Sequence, residues 1–266
     1  MWRNLAQLGH YRPLIQTLVA RDLKARYRGS VLGMFWSFIN PLLLLTIYSF
    51  VFWILPAAKD PATTPFPVFL FCGLLPWSWF STAMNEATVS LISGGGLIKK
   101  VLFPAEVLPI VSVISTMVHF LFGLVILLIF EVRFAHAPNF AALPWFPVVV
   151  ALQFIFTVGL SLLTSALTVH FRDVRDLVFN LLTFWFFATP IIYPYSMAVG
   201  KLGRHAWILE LNPFFHLAVA YQKILFFPPP FDRAASLGVM TVFSVGVFLL
   251  GYWVFDRLRD SFAEAV

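Results

Sequence analysis

The sequence predicts an all-α integral membrane protein, and three observations predict it. The chain of 266 residues is 60% hydrophobic and only 11% charged, whereas a soluble globular domain is about 25% charged. Its apolar residues fall in long runs, and a helix needs roughly 20 consecutive apolar residues to cross a bilayer. No run alternates with period two, as the strands of a membrane barrel do. Backbone groups in hydrocarbon must be satisfied internally, so the runs are predicted to be helices.

The first 30 residues are predicted to form an amphipathic helix that does not span the membrane. In "HYRPLIQTLVARDLKARYRGS" (10–30), apolar residues such as Leu14, Leu18 and Leu23 recur about once per helical turn, and basic residues face elsewhere. Gly29 ends the pattern as a helix stop would. We expect this helix to lie on the inner membrane surface, with its basic side chains near the lipid headgroups. The alternative is a segment that only sets the topology.

The remainder, 31–266, is predicted to be one transmembrane domain with six spans. They cover about 31–55, 66–90, 107–130, 144–169, 177–193 and 236–255. With a cytosolic N-terminus, 12 of the 18 basic residues fall on the cytosolic side: Arg3, Arg12, Arg21, Lys24, Arg26, Arg28, Lys99, Lys100, Arg172, Arg175, Arg257 and Arg259. This bias places both termini in the cytosol, and an even number of spans is what that arrangement requires.

A short polar segment joins the second and third spans, in "GGGLIKKVLFPAEVLPI" (94–110); we call residues 94–106 the elbow. Gly94–Gly96 are predicted to end the second span and to allow a sharp turn. Residues 97–102 can form a short helix with Lys99 and Lys100 towards water or a partner, and Pro104 stops that helix. The alternative is a basic connector that only enforces orientation.

Region 186–230 is apolar but repeatedly interrupted by proline, so no uninterrupted span of 20 residues fits it. Asn212 and Pro213 have the pattern of an N-cap and a first helical residue. We expect two short helices that dip into the outer leaflet and pack against other helices, because exposed broken backbone is not tolerated in lipid. An outer loop with one surface helix is the alternative.

Few residues in this chain suggest catalysis. Within the spans only Glu86 and His119 are ionisable, and intramembrane ionisable groups are functional candidates. They lie roughly 8 and 18 Å from the inner surface at 1.5 Å per residue, so a direct pair is not expected. The sequence lacks a metal-binding histidine spacing, a G-x-S-x-G nucleophile motif and the G-x-x-x-x-G-K-[ST] phosphate loop. No metal or cofactor is expected on this chain, and an ATPase that drives it must be a separate chain.

Three segments carry a resemblance to a known family. "RDLKARYRGSVLGMFWSFINPLL" (21–43), "LIKKVLFPAEVLPI" (97–110) and "LNPFFHLAVAYQKILF" (211–226) resemble the type-2 ABC exporter permeases that move lipid-linked polysaccharides. That family includes the O-antigen, capsule and wall teichoic acid exporters. The similarity extends over nearly the whole chain in order, and chain length and span number also match.

The resemblance implies a fold, partners and site residues. It implies a homodimer bound to two copies of a separate ATPase subunit, with ATP and Mg²⁺ on that subunit, an interface helix near 10–28 and re-entrant helices within about 190–226. Residues that would lie nearest the ATPase are Leu97, Ile98, Lys99, Lys100, Phe103 and Glu106, with a second contact through Arg172 and Arg175 in "HFRDVRD" (170–176). Aromatic pairs on spans one and five, Tyr48 with Phe52 and Phe184 with Phe187, would line the translocation path; packing in the core or facing lipid is the alternative.

These observations favour a permease subunit of the cytoplasmic (inner) membrane that exports an undecaprenyl-type lipid-linked glycan. The net charge of +6 is explained by anionic lipid headgroups and membrane orientation, so no nucleic-acid partner is expected. A related exporter of a small hydrophobic drug or a lipid is the first alternative. A membrane-embedded lipid-processing enzyme is disfavoured, because carboxylates and histidines are not clustered.

Overall fold

The computed structural model describes residues 11–54, 61–99, 103–134 and 137–265, with the side chains of 34, 48, 49, 51–53, 62, 263 and 265 excepted. This part of the chain is helical and has no strands. Its helices are α1 (Arg12–Arg26), α2 (Trp36–Ile54), α3 (Phe66–Ser93), α4 (Gly95–Ile98), α5 (Val107–Arg133), α6 (Phe146–His170), α7 (Val174–Phe187), α8 (Tyr195–Leu202), α9 (Trp207–Glu210), α10 (Pro213–Leu225), α11 (Ala234–Leu258) and α12 (Phe262–Ala265).

Four of these helices, α3, α5, α6 and α11, are long and apolar enough to cross a membrane. Helix α3 is central, because α5, α6, α7 and α10 all pack against it. Its apolar window is 78% buried, compared with 22% for α11. The run Val68–Cys72 shows almost no exposed surface on either side of the helix. Helix α3 is therefore surrounded by protein, whereas most of α11 is exposed.

Helices α6 and α11 pack backbone to backbone through small residues. A Cβ added at Gly251 would collide with the carbonyl oxygen of Gly159, and one at Gly159 would meet the backbone of Phe248 at 2.6 Å. The Ser244 hydroxyl donates to the Leu152 carbonyl at 3.1 Å. Such close approach is how helices associate where lipid removes the hydrophobic driving force.

The helices at the expected first and fifth spans are shorter than the sequence predicted. Helix α2 begins at Trp36, and α7 ends at Phe187 rather than near residue 193. The cause at α7 is Pro190, which lacks an N–H and disfavours helical geometry in the preceding residue. The Thr189 hydroxyl satisfies the Trp185 carbonyl near this end, at 2.8 Å. With 14 residues, α7 is about 21 Å long, below the roughly 30 Å of the hydrocarbon core.

The proline-rich region 186–230 is broken into short helices, as its sequence predicts, and Asn212 ties them together. Its Oδ1 accepts from the Phe214 amide at 3.0 Å, which confirms the predicted N-cap of α10. The same oxygen accepts from Trp185 Nε1 at 2.5 Å, and Asn212 Nδ2 donates to Thr189 Oγ1 at 2.9 Å. Helix α10 is almost wholly buried, so its backbone is enclosed by protein.

Candidate functional site

Four segments meet at one end of the bundle, which we call the elbow end: α1, the elbow, the turn between α6 and α7, and the C-terminal helix α12. Leu18 of α1 packs on Val107 and Val111 at the start of α5. Helix α12 packs against α4 of the elbow and against α6. A hydrogen bond of 3.0 Å joins His170 Nε2 and Ser261 Oγ. Segments far apart in sequence thus form one continuous surface.

The apolar face of α1 contacts protein; that this helix lies at the inner membrane surface stays a prediction. Leu18 is 6% exposed, and residues of α1 and of the elbow surround the cluster that it forms with α5. Those residues are Tyr11, Leu14, Ile15, Val19, Leu97 and Phe103. Helix α1 is therefore docked to the elbow and to α5, and its basic face is directed outward.

An ion pair joins the end of α1 to α3. Arg26 donates to both carboxylate oxygens of Glu86, at 2.6 and 2.7 Å, and also to Asp22 at 3.2 Å. The Arg26 and Glu86 side chains are only 27% and 31% exposed. The hydrogen bond with Glu86 raises the pKa of Arg26 above its ordinary value, so the guanidinium stays charged. Paired charge-assisted hydrogen bonds of this kind fix orientation as well as contributing energy.

The next residue, Tyr27, joins α1 to two further helices. Its hydroxyl lies 2.6 Å from Ser37 Oγ and 2.5 Å from His119 Nε2. His119 Nδ1 lies 3.1 Å from the Ser115 carbonyl oxygen. That carbonyl can only accept, so in the neutral imidazole Nδ1 carries the proton and Nε2 accepts from Tyr27. Ser37 then donates to the phenolic oxygen, and α1, α2 and α5 are connected.

Glu86 and His119, the two ionisable residues predicted within the spans, bind the last residue of α1 and the residue that follows it rather than each other. Sequence reasoning missed Arg26 and Tyr27 as their partners. One available signal was the cost of a carboxylate near the membrane, which requires a nearby cation. Any of several basic residues of α1 could be that cation as far as the sequence shows. Only the packing of the helices makes Arg26 the partner of Glu86. We call the contacts of Arg26 and Tyr27 with these helices the latch.

Glycine allows close packing in the elbow. Helix α3 ends at Ser93, and α4 follows at Gly95–Ile98 rather than at the predicted 97–102, of which 100–102 lie outside the described chain. Gly94 has an ordinary φ of −91°, so the turn does not need its left-handed freedom. A Cβ there would instead collide with Leu108 Cδ1. The glycine lets the start of α5 approach the end of α3.

The residues that the resemblance assigns to the ATPase contact differ in accessibility. Lys99 is exposed, Leu97, Ile98 and Phe103 are half-buried, and Lys100 lies outside the described residues. Glu106 is 6% exposed, so its carboxylate is mostly covered by its own chain. Arg172 and Arg175 are exposed and line a groove of about 700 Å³ with the end of α3. The structure therefore gathers these residues at one end, where the lysine and the arginines are the accessible groups.

The aromatic residues assigned to the translocation path are only partly described. The side chains of Tyr48 and Phe52 lie outside the described part of the structure. Phe184 and Phe187 are 72% and 58% exposed on α7. Packing in the core is therefore excluded for this second pair, which faces lipid or a partner.

Comparison with known families identifies the chain. The family model described as "ABC-2 type transporter" matches residues 13–226, which include nearly all of α1, the latch and the elbow. This chain belongs to the ABC-2 type transporter family. Its similarity to individual ABC-2 relatives extends beyond the matched segment to the whole chain.

The chain is similar over most of its length to proteins whose names describe export or transport. It is 38% identical to the O-antigen export system permease protein RfbA of Myxococcus xanthus, over 100% of both chains. It is 30% identical to a protein of the same name from Klebsiella pneumoniae, over 97% of this chain and 96% of the relative. It is 22% identical to the polysialic acid transport protein KpsM of Escherichia coli, over 93% of both.

Proposed function

We propose that this chain is the permease subunit of an ATP-driven exporter that carries an O-antigen-type polysaccharide across the cytoplasmic (inner) membrane. The full-length similarity to O-antigen export permeases is the observation that carries this proposal. ATP and Mg²⁺ would bind a separate ATPase subunit, because this sequence contains no phosphate-binding loop.

In the proposed topology six segments cross the membrane, and both termini and the elbow end are cytosolic. Helices α2 and α7 would be the first and fifth spans, in addition to the four longer helices α3, α5, α6 and α11. Helices α8 and α10 would re-enter the membrane from the outer side. The burial of α10 supports this arrangement, because broken backbone at membrane depth must be enclosed by protein. The excess of basic residues at the elbow end supports the orientation.

The ATPase is proposed to bind the elbow end through cations. These are the exposed Lys99, Arg172 and Arg175, together with Lys100, which lies outside the described residues. Residues Leu97, Ile98, Phe103 and Glu106 are less accessible. They would hold the elbow in place by packing against the rest of the chain. A displacement of the elbow would then pass to α3 and α5, which it joins covalently. The latch ties α1 to the same two helices, so these elements would move together.

Two copies of the chain are proposed to form the path between their α2 and α7 helices, bound to two ATPase subunits. Phe184 and Phe187 would face the glycan with Tyr48 and Phe52. Aromatic faces contact sugar rings over a large area without directional hydrogen bonds, so a polymer can slide across them. The cargo is proposed to be a glycan on an undecaprenyl-type lipid.

Charge reversal at the elbow tests this function. Lys99→Glu combined with Lys100→Glu is expected to reduce co-purification of the ATPase subunit and to stop export, because acidic residues would replace the proposed docking cations. Lys201→Glu is the matched control, since Lys201 is also exposed but lies between spans five and six. Cells with the double variant should accumulate lipid-linked glycan inside. Unchanged ATPase binding and export would show that the elbow is not the docking surface.

A further inference from the structure

A buried phenylalanine holds the last described helix, α12, against the elbow end of the bundle. Helix α11 ends at Leu258, a short 3-10 turn covers Arg259–Ser261, and α12 begins at Phe262. Phe262 is 0% exposed, and the edge of its ring contacts that of Phe255 on α11, with centroids 5.1 Å apart. Buried aromatic rings contribute more to core packing than any other side chains. Phe262 therefore fixes the start of α12 within the protein.

Two contacts attach this segment to the end of α6. The Ser261 hydroxyl lies 3.0 Å from His170 Nε2, and the His170 ring lies beside that of Phe262, with centroids 6.3 Å apart. His170 is the last residue of α6, and the turn 170–176 begins with it and carries the two arginines of the proposed ATPase contact. The segment is thus attached to one of the two parts of the chain that this contact uses.

The other part is the elbow, and α12 packs against its helix α4. Helix α4 has four residues, Gly95–Ile98, and Gly95 is buried. The Leu97 amide donates to the Gly94 carbonyl at 2.8 Å, and the Lys99 amide to the Gly95 carbonyl at 3.0 Å. Isolated helices shorter than about 12–15 residues are marginal in water. The order of α4 therefore depends on the segments that pack against it.

Helices α1 and α12 connect the elbow to different parts of the bundle. Leu97 packs on the cluster that Leu18 of α1 forms with α5, and α5 continues directly from the elbow. Helix α12 instead connects the elbow to α6 and α11, which pack backbone to backbone. Its position therefore sets the spacing between Lys99 and the pair Arg172 and Arg175, all of which are exposed. A partner that binds both groups at once loses less free energy if this spacing is fixed beforehand.

We propose that Phe262 is a positioning residue for the ATPase contact and that Ser261 assists it through His170. By fixing α12 against α4 and α6, Phe262 holds the elbow and the turn 170–176 at the spacing that the ATPase subunit binds. Its side chain is enclosed, so it does not touch that subunit. This inference rests on the proposed function, because it takes both segments to be docking sites. It adds an uncharged residue that lies outside both of them.

Hydrogen exchange of the full chain in lipid nanodiscs tests the positioning. The amides of residues 97–99 exchange when α4 opens, because each is bonded to the carbonyl of Gly94 or Gly95. Phe262→Ala should speed their exchange at least about tenfold, since the loss of a buried phenylalanine ring shifts a packing equilibrium by more than that factor. Ser261→Ala removes only the hydroxyl beside α6 and should speed it about two- to tenfold.

Phe226→Ala is the matched control. Phe226 is 4% exposed, and the edge of its ring contacts Phe69 at 5.4 Å, near the opposite end of α3. This change should leave exchange at 97–99 as in the parent, and Phe262→Leu, which keeps most of the apolar volume, should exchange more slowly there than Phe262→Ala. Equal acceleration by the two alanine variants would mean that Phe262 supports only overall stability and would overturn the proposal. Unchanged exchange at 97–99 in Phe262→Ala would also overturn it, and Ser261→Ala decides the point if Phe262→Ala does not accumulate.

Binding of the separately purified ATPase subunit of the same exporter is the second measurement. Phe262→Ala keeps every proposed docking cation but should weaken this binding about tenfold, whereas Phe226→Ala should not. Unchanged binding in Phe262→Ala, with binding lost on charge reversal at Lys99 and Lys100, would overturn the positioning role and leave the docking surface in place. If the charge reversal leaves binding intact, the proposed docking surface is wrong and this role of Phe262 is overturned with it.

Discussion

Replacing Glu86 by Gln is expected to loosen α1 from the bundle. The substitution preserves shape and one acceptor oxygen but removes the charge that Arg26 contacts at 2.6 and 2.7 Å. An exposed ion pair contributes at most about 1 kcal/mol, whereas removing one partner of a buried pair costs about 3–5 kcal/mol. The two side chains are 27% and 31% exposed, which places the expected loss between these limits, at about 1–3 kcal/mol.

The Arg26–Asp22 contact provides a matched control on the same guanidinium. It is longer, at 3.2 Å, it joins residues four apart on one helix, and Asp22 is 42% exposed. Asp22→Asn should therefore cost less than about 0.5 kcal/mol. For a domain of this size, 1 kcal/mol corresponds to about 2–4 °C in Tm. Glu86→Gln should lower the thermal midpoint by roughly 2–12 °C and Asp22→Asn by no more than about 2 °C.

The assays are thermal unfolding in one detergent and, for the assembled exporter, polysaccharide export per ATP hydrolysed. Glu86→Gln should lower export more than ATP hydrolysis, because α1 would no longer move with α3. A double-mutant cycle with Arg26→Gln isolates the coupling between the two side chains, because each single change removes the same ion pair and the double change removes both charges. Equal effects of Glu86→Gln and Asp22→Asn, or full additivity of the two changes at positions 26 and 86, would refute a latch at this position.

Two further predictions concern packing. Gly251→Val should destabilise the bundle by more than about 3 kcal/mol or prevent its accumulation, because even a Cβ collides with the Gly159 carbonyl. Gly246→Ala on the same helix has open space and should be neutral or stabilising by up to about 1 kcal/mol; similar yields of the two variants would contradict the proposed helix contact. Asn212→Ala should lower stability by about 1–3 kcal/mol, since it removes the N-cap of α10 and the acceptor of Trp185. Asn180→Ala is the control on exposed α7, where only a bond to the Asp176 carbonyl is lost, and a larger effect there would contradict the bridging role of Asn212.

Much of the helix pattern could be predicted because hydropathy is a local property. The predicted second, third, fourth and sixth spans agree within three residues with α3, α5, α6 and α11. Agreement is poorer at α7, where the apolar run continues past the point at which Pro190 ends the helix. Hydropathy shows that the residues after Phe187 are apolar, but the backbone geometry imposed by proline decides where the helix ends.

The contacts of the candidate site were less predictable. Glu86 and His119 stand out in sequence because ionisable groups are costly in a membrane, but their partners are 60 and 92 residues away along the chain. Similarly, the amphipathic pattern of α1 is the same whether its apolar face meets lipid or protein. The docking of Leu18 onto Val107 and Val111 depends on where α5 begins in space.

The sequence alone thus determined that the chain is helical and membrane-embedded, and it singled out the elbow, the amphipathic helix and the two ionisable residues within the spans. These features depend on composition, periodicity and the cost of charge in lipid, all of which can be counted along the chain. Only the tertiary structure decided that α1 packs on protein, that Arg26 and Tyr27 hold Glu86 and His119, and that Gly94 serves close packing. Those outcomes depend on distances between segments far apart in sequence, and many arrangements of the same helices satisfy the same hydropathy pattern.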